Sequence, residues 1–159
     1  MKKTAFISYS MNDSELYILS LVIEHLSKNN FYINTSYENN TSVGQNIILQ
    51  TKEQISQSDL FIGIASHNGI HSKWVMKEWE IAQHNNNTAV FLIEDSVPIN
   101  PDFIKENFVI LFNRQNPEQS LTFLKEMIEN QKEKKTNNAL NWVVGGLLGI
   151  AIIKLLSDE

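Results

Sequence analysis

The sequence predicts a doubly wound α/β domain, and three observations carry the prediction. Five short apolar runs, at residues 5–9, 31–35, 60–65, 88–93 and 108–112, are rich in Val, Ile and Phe and are flanked by polar turn residues. Their nearly continuous apolar character is that of strands buried on both faces of a parallel sheet. Helical patterns lie between them, and alternating strands and helices imply right-handed crossovers.

The elements follow in order. Leu16, Leu19, Val22, Ile23 and Leu26 repeat at helical spacing after the first run. Asn12, with Glu15 three residues later, forms a capping box for that helix. Asn29-Asn30 is a turn before the second run. A second helix is expected over about residues 45–57, with Ile48 and Ile55 inward, and a third from near Ser72. Pro98 and Pro101 interrupt the connection between the fourth and fifth runs, which reads as mostly loop. Asn116-Pro117 supplies a cap and a first-turn proline for a last helix with Leu121, Leu124 and Ile128 inward.

Bulk properties narrow the function. The chain has 159 residues, enough for one domain and a short appendage. A formal net charge of -5 argues against a nucleic-acid binder, which presents a basic face. With no Cys, disulfides, thiolate metal sites and a Cys nucleophile are excluded. Lys2-Lys3 precedes an apolar run broken by Ser8 and Ser10, so the N-terminus reads as a strand rather than a signal peptide.

The composition changes near Gln131. Residues 131–138 form a charged, polar linker, and residues 139–156 are apolar on every side of a helix. Such a helix is about 27 Å long, near the thickness of a hydrocarbon core. Trp142 suits an interface, Lys154 can snorkel, and Lys132, Lys134 and Lys135 place the preceding domain in the cytosol. The expectation is a single-pass anchor at the cell membrane; the alternative is a cytoplasmic protein whose apolar helix packs on the domain or on a second subunit. Gly145 and Gly149 provide a small-xxx-small spacing through which two such helices approach.

In a doubly wound sheet ligands bind beyond the carboxyl ends of the strands, where the strand order reverses. With strand order 2-1-3-4-5 that crevice lies between the first and third strands. Ser8, Tyr9 and Ser10 end the first, and Ser66 ends the third. The helix that follows carries Trp74 and Glu78, four apart and on one face. An aromatic plane and a carboxylate thus stand side by side at a predicted ligand site. Glu80 lies on a different helical face, and Trp79 reads as core or oligomer surface. His67 and His71 have no acidic or thiol partner, so no metal site is assigned. No G-x-G-x-x-G or Walker loop is present.

These residues also carry a family resemblance. Phe6-Ile7-Ser8-Tyr9-Ser10 followed by Asp13 resembles the first box of a TIR (Toll/interleukin-1 receptor) domain. Residues 55–62 followed by Ser66, Ser72, Trp74 and Glu78 resemble the middle region of the family, with the Trp-x-x-x-Glu spacing of bacterial and plant members. The resemblance covers roughly residues 4–130, which gives a TIR domain over 1–130, a linker over 131–138 and the hydrophobic helix over 139–156. Two departures stand out. The segment 37–45 keeps Gly44 but lacks the Arg-Asp and Pro-Gly pattern of animal receptor domains, and Gly69 stands where many members carry Tyr.

The resemblance implies a flavodoxin-like fold, a five-stranded parallel sheet with helices on both faces. It also implies NAD+ cleavage at the nicotinamide–ribose bond, as hydrolysis or cyclisation, in bacterial defence or immune signalling. Glu78 matches the catalytic residue. One carboxylate suffices because nicotinamide already leaves from a cationic pyridinium, whereas ordinary glycosidases also need an acid. A Glu with an ordinary pKa of about 4.3 is ionised at neutral pH and stabilises positive charge at the ribose. Trp74 walls the pocket or packs the helix onto the sheet. Ser8, Tyr9, Ser10 and Ser66 border the substrate or satisfy backbone groups, and Gly44 lets a loop approach.

NAD+ is expected as substrate, with no further cofactor. Self-association is expected through the domain and the C-terminal helix, with other TIR proteins as further partners. Three other readings remain open: a non-catalytic TIR interaction module, a nucleoside deoxyribosyltransferase-like enzyme, and an effector that disrupts bilayers.

Overall fold

The computed structural model describes residues 2–10, 13–37, 42–43, 46–47, 49–66, 72–85, 87–133 and 143–144. The chain divides into two compact units, Met1–Phe91 and Leu92–Glu159.

The first unit begins with β1 (Lys3–Tyr9), α1 (Asp13–Lys28) and β2 (Phe31–Tyr37). A two-stranded antiparallel ribbon follows, formed by β3 (Ser42–Val43) and β4 (Asn46–Ile47). Then come α2 (Leu49–Ser56), β5 (Leu60–Ala65), α3 (Lys73–His84) and the first residues of β6 (Thr88–Glu94). Strand order in this unit is β2-β1-β5-β6. β1 pairs in parallel with β2 from Lys3↔Phe31 to Tyr9↔Tyr37, and with β5 from Ala5↔Leu60 to Ser8↔Gly63. Asp59 fixes the start of β5 against β1: its carboxylate accepts from Thr4 N and its N–H donates to Thr4 O, each at 2.8 Å.

The central strands β1 and β5 are buried along nearly their whole length. Edge strand β2 buries Phe31 and exposes Tyr32, so the two-sided burial expected of every run fails there, at the end of the strand order among the described residues. α1 buries Ile18, Leu19, Val22 and Leu26, while Leu16 faces solvent. The apolar stripe is therefore turned by part of a helical turn from the face the sequence indicates. Asn30, with φ of 63°, takes the left-handed conformation that ends α1, which Asn tolerates better than most residues. α2 starts later than expected because Asn46–Ile47 belongs to β4; Ile55 is buried, and Ile48 and Gln45 lie outside the described residues.

β5 and α3 pack closely. A Cβ on Gly63 would stand 2.7 Å from Phe91 Cε1 and 3.4 Å from Val75 Cγ1. Phe91 cannot easily retreat, because its ring lies 4.2 Å, centroid to centroid, from that of Trp79. Trp79 also meets Phe61 edge-on, and Phe61 stacks on Phe6. Trp79 is thus a core residue.

The second unit contains the end of β6, then α4 (Pro101–Glu106), β7 (Val109–Phe112), α5 (Pro117–Glu133) and β8 (Val143–Val144). Its strand order is β6-β7-β8, so the five predicted runs stand in the order 2-1-3-4-5. Pro101 starts a short helix rather than breaking one. Asn100 caps it by accepting from Asp102 N at 2.9 Å, and proline at the first position lacks only an N–H that would have no intrahelical partner. α5 begins as expected, with Asn116 Oδ1 accepting from Gln119 N, and it packs on β7 with Leu121, Leu124 and Met127 buried. Ile128 is half-buried. Arg114 and Glu94 form an ion pair.

The C-terminal expectation is corrected at two positions. Val143 and Val144 pair in parallel with Val109 and Ile110 as a strand, not as part of a hydrophobic helix. Two β-branched residues favour a pleated, half-buried setting, and an apolar run by itself does not separate helix from strand. The rest of 139–156, with the linker from 134 onward, lies outside the described residues. Among the described residues no helix is long and apolar enough to cross a membrane.

Candidate functional site

Every described residue of the predicted site belongs to the first unit. α3 positions the central pair. Ser72 caps the helix, its side chain accepting from Val75 N at 3.4 Å. One turn on, Trp74 and Glu78 share a buried face with Val75, Trp79 and Ala82. Trp74 Nε1 donates to Glu78 Oε1 at 3.0 Å, joining the two side chains across one helical turn. Glu78 is fully buried, 0% exposed, and Trp74 nearly so. Glu80 is exposed. The indole therefore packs and also orients the carboxyl group, which combines the two roles the sequence left open.

A buried carboxyl group is costly unless it is hydrogen-bonded, and an indole N–H is a donor only. The bond from Trp74 offsets part of that cost and fixes the position of one oxygen.

Ser8 lies on β1 opposite Gly63 of β5, two residues beyond the Phe6–Phe61 pair. Strand alternation puts Ser8 on the same face as Phe6. Phe6 stacks on Phe61, which meets Trp79 of α3, so this is the face that α3 covers. Ser8 is 0% exposed, and among the described residues its Oγ has no hydrogen-bond partner. Such a hydroxyl costs about 1–3 kcal/mol when left unsatisfied. Tyr9 is buried, and Ser10 lies just past the strand. Gly44 lies outside the described residues, as do His67, Gly69 and His71.

The sequence reading missed the role of Glu15. The expected capping box cannot be followed to its cap, because Asn12 lies outside the described residues. Glu15 is 0% exposed and joins the ends of β1 and β5. Oε2 accepts from Ser10 N at 2.6 Å and from Ser10 Oγ at 2.7 Å. Oε1 accepts from Ser66 N at 3.1 Å and from Ser66 Oγ at 3.0 Å. A carboxylate has about four lone-pair sites, enough to accept from all four of these donors. The signal was present in the sequence. Glu15 precedes Ile18, Leu19, Val22 and Leu26 by three, four, seven and eleven residues, which puts an acid in line with an apolar stripe.

The site thus unites Ser10 and Ser66 through Glu15 at the carboxyl ends of two adjacent strands, and sets the Trp74–Glu78 pair in the helix that follows the second of them. No curated protein matches the chain. Among solved structures it is similar to the TIR domains of the activated Roq1 resistosome directly recognizing the pathogen effector XopQ. That similarity is at 13% identity, covers 99% of this chain and 85% of that one, and has a TM-score of 0.49. The family model described as TIR domain matches residues 5–126. The chain belongs to the TIR domain family.

Proposed function

We propose that this chain is an NAD+ nucleosidase that releases nicotinamide by hydrolysis or cyclisation, and that it acts in bacterial defence or immune signalling when oligomerised. The observation that carries the reading is the Trp74–Glu78 hydrogen bond in α3, which fixes one carboxyl oxygen behind β5. Membership of the TIR family supports it. So does the buried Ser8 hydroxyl on the face that α3 covers.

In this reading the bond from ribose C1′ to the pyridinium nitrogen breaks, and its electron pair leaves with neutral nicotinamide. Glu78 as carboxylate stabilises the positive charge that develops at C1′. In hydrolysis water adds to C1′ and loses a proton, giving ADP-ribose. In cyclisation a nucleophilic atom of the same molecule takes the place of water. NAD+ enters as substrate and no further cofactor takes part. Ser8, Tyr9, Ser10, Gly44 and Ser66 border the substrate, and Trp74 holds Glu78. Neighbouring copies complete the site, and other TIR proteins are further partners. The domain works in the cytoplasm; residues 139–156 hold it at a membrane if fractionation places the full chain there and a chain ending at residue 138 elsewhere.

The test is nicotinamide release from NAD+ by the full chain at concentrations that drive assembly. Wild-type release that Glu78→Gln abolishes supports the reading. Undiminished release by Glu78→Gln removes Glu78 from its role.

A second reading is an interaction module without catalysis. The complete burial of Glu78 favours it, because a carboxyl group closed to solvent can serve packing alone. Self-association without nicotinamide release at any concentration is its signature.

A further inference from the structure

We propose that Glu15 is the positioning residue of the candidate site, fixing Ser10 and Ser66 so that the substrate meets a preformed rim at the ends of β1 and β5. The proposal rests on the NAD+ nucleosidase reading and adds to it a residue that takes no part in the chemistry.

Three observations support it. The first is geometry: one carboxylate receives both the backbone N–H and the hydroxyl of each serine, at 2.6–3.1 Å. The partners lie 5 and 51 residues away in sequence, so the group ties α1 to both strand ends. The second is burial: Glu15 and Ser66 are 0% and 1% exposed, and hydrogen bonds to a charged acceptor strengthen out of water. The third is place. β1 and β5 are neighbours in the strand order β2-β1-β5-β6, and the order reverses at β1, since chain continues from β1 outward to β2 and then returns to β5 on its other side. In open α/β sheets ligands bind outside the carboxyl ends of strands at such a reversal.

The same geometry says what a variant loses. In Glu15→Gln one acceptor oxygen becomes an NH2 group. A serine hydroxyl can turn to accept from it, but the backbone N–H beside that hydroxyl can only donate. One strand end is therefore released while size and shape are kept. A loosened rim weakens ground-state binding more than it slows bond breaking in the complexes that form, so KM rises and kcat holds.

The experiment combines two readouts on the full chain: nicotinamide release over a range of NAD+ concentrations, and amide hydrogen exchange at Ser10 and Ser66. For Glu15→Gln we expect faster exchange at one or both of these amides, unchanged exchange in β6, a KM raised about tenfold and a kcat within about twofold of wild type. Ser66→Ala, which keeps the backbone N–H and loses one hydroxyl donor, is expected to raise KM by a smaller factor. Unchanged exchange at Ser10 and Ser66 in Glu15→Gln overturns the clamp. Faster exchange with unchanged KM overturns positioning and leaves a structural bond. Wild-type protein that neither binds nor cleaves NAD+ overturns the nucleosidase reading, and positioning with it, whatever the exchange shows. If Glu15→Gln does not fold, Glu15→Asp, which keeps the charge but is one methylene too short to reach both serines, decides by the same exchange readout and the same split between KM and kcat.

Discussion

Trp74 Nε1 donates a 3.0 Å hydrogen bond to Glu78 Oε1, and both side chains are withdrawn from water on one face of α3. The four-residue spacing of these two residues thus encodes a contact, not only a shared face. In Trp74→Phe the ring still packs, but the indole N–H that donates to that oxygen is gone. Loss of a bond to a buried carboxyl group is expected to cost about 1–3 kcal/mol. The proposed function adds a fall in nicotinamide release larger than that in protein folded. Thermal unfolding and the release assay on one preparation measure both.

Gly63 sits where a side chain cannot. The rings of Phe91 and Trp79 are in contact, so Phe91 has little room to retreat from an added Cβ. Gly63→Ala is expected to lose about 1–3 kcal/mol through overpacking. In a chain of this length that lowers Tm by several degrees, at about 2–4 °C per kcal/mol. Calorimetry checks it, and an unchanged Tm would show that the Phe91–Trp79 contact yields.

Much of this fold is legible in the sequence because apolar periodicity and strand burial are the same fact seen twice. The run at 60–65 coincides with β5, and the others differ from their strands only at the ends. Errors arise where a residue type has two local meanings. Pro101 reads as a helix breaker, yet at the first helical position it starts α4. Val143-Val144 reads as part of a long apolar helix, yet two residues suffice to line the edge of β7. The candidate site is half legible. Trp74 and Glu78 announce themselves by spacing, whereas the bonds of Glu15 to Ser66 depend on a pairing across 51 residues that no local pattern contains.

Glu94 and Arg114, both in the second unit, form a more protected ion pair than the exposed Lys28–Glu24 pair of α1. Arg114→Met leaves the Glu94 carboxylate, 12% exposed as a side chain, without its guanidinium. The expected loss is about 1–3 kcal/mol, below that for a fully buried pair because Arg114 retains some solvent. A double-mutant cycle with Glu94→Gln, read by denaturant unfolding, isolates the coupling.

Lys28 beside Glu24 holds the Glu24 carboxyl below its ordinary range, mainly through a side-chain hydrogen bond and secondarily through charge. The folded-state pKa is therefore below the unfolded one. The stabilisation is present above the unfolded value and disappears as pH falls through the folded value. Both side chains are well exposed, so Lys28→Met is expected to leave Tm at neutral pH almost unchanged and to flatten its acid dependence slightly. Unfolding curves from pH 7 to pH 3 test this.

The most direct measurement is nicotinamide release from NAD+ by the assembled wild-type chain and by Glu78→Gln, each shown to be folded. The account predicts release by the wild type and a loss of about a hundredfold or more in the variant, the scale on which removing one transition-state electrostatic partner acts. Equal release by the two proteins, or none by the wild type at any degree of assembly, would contradict it.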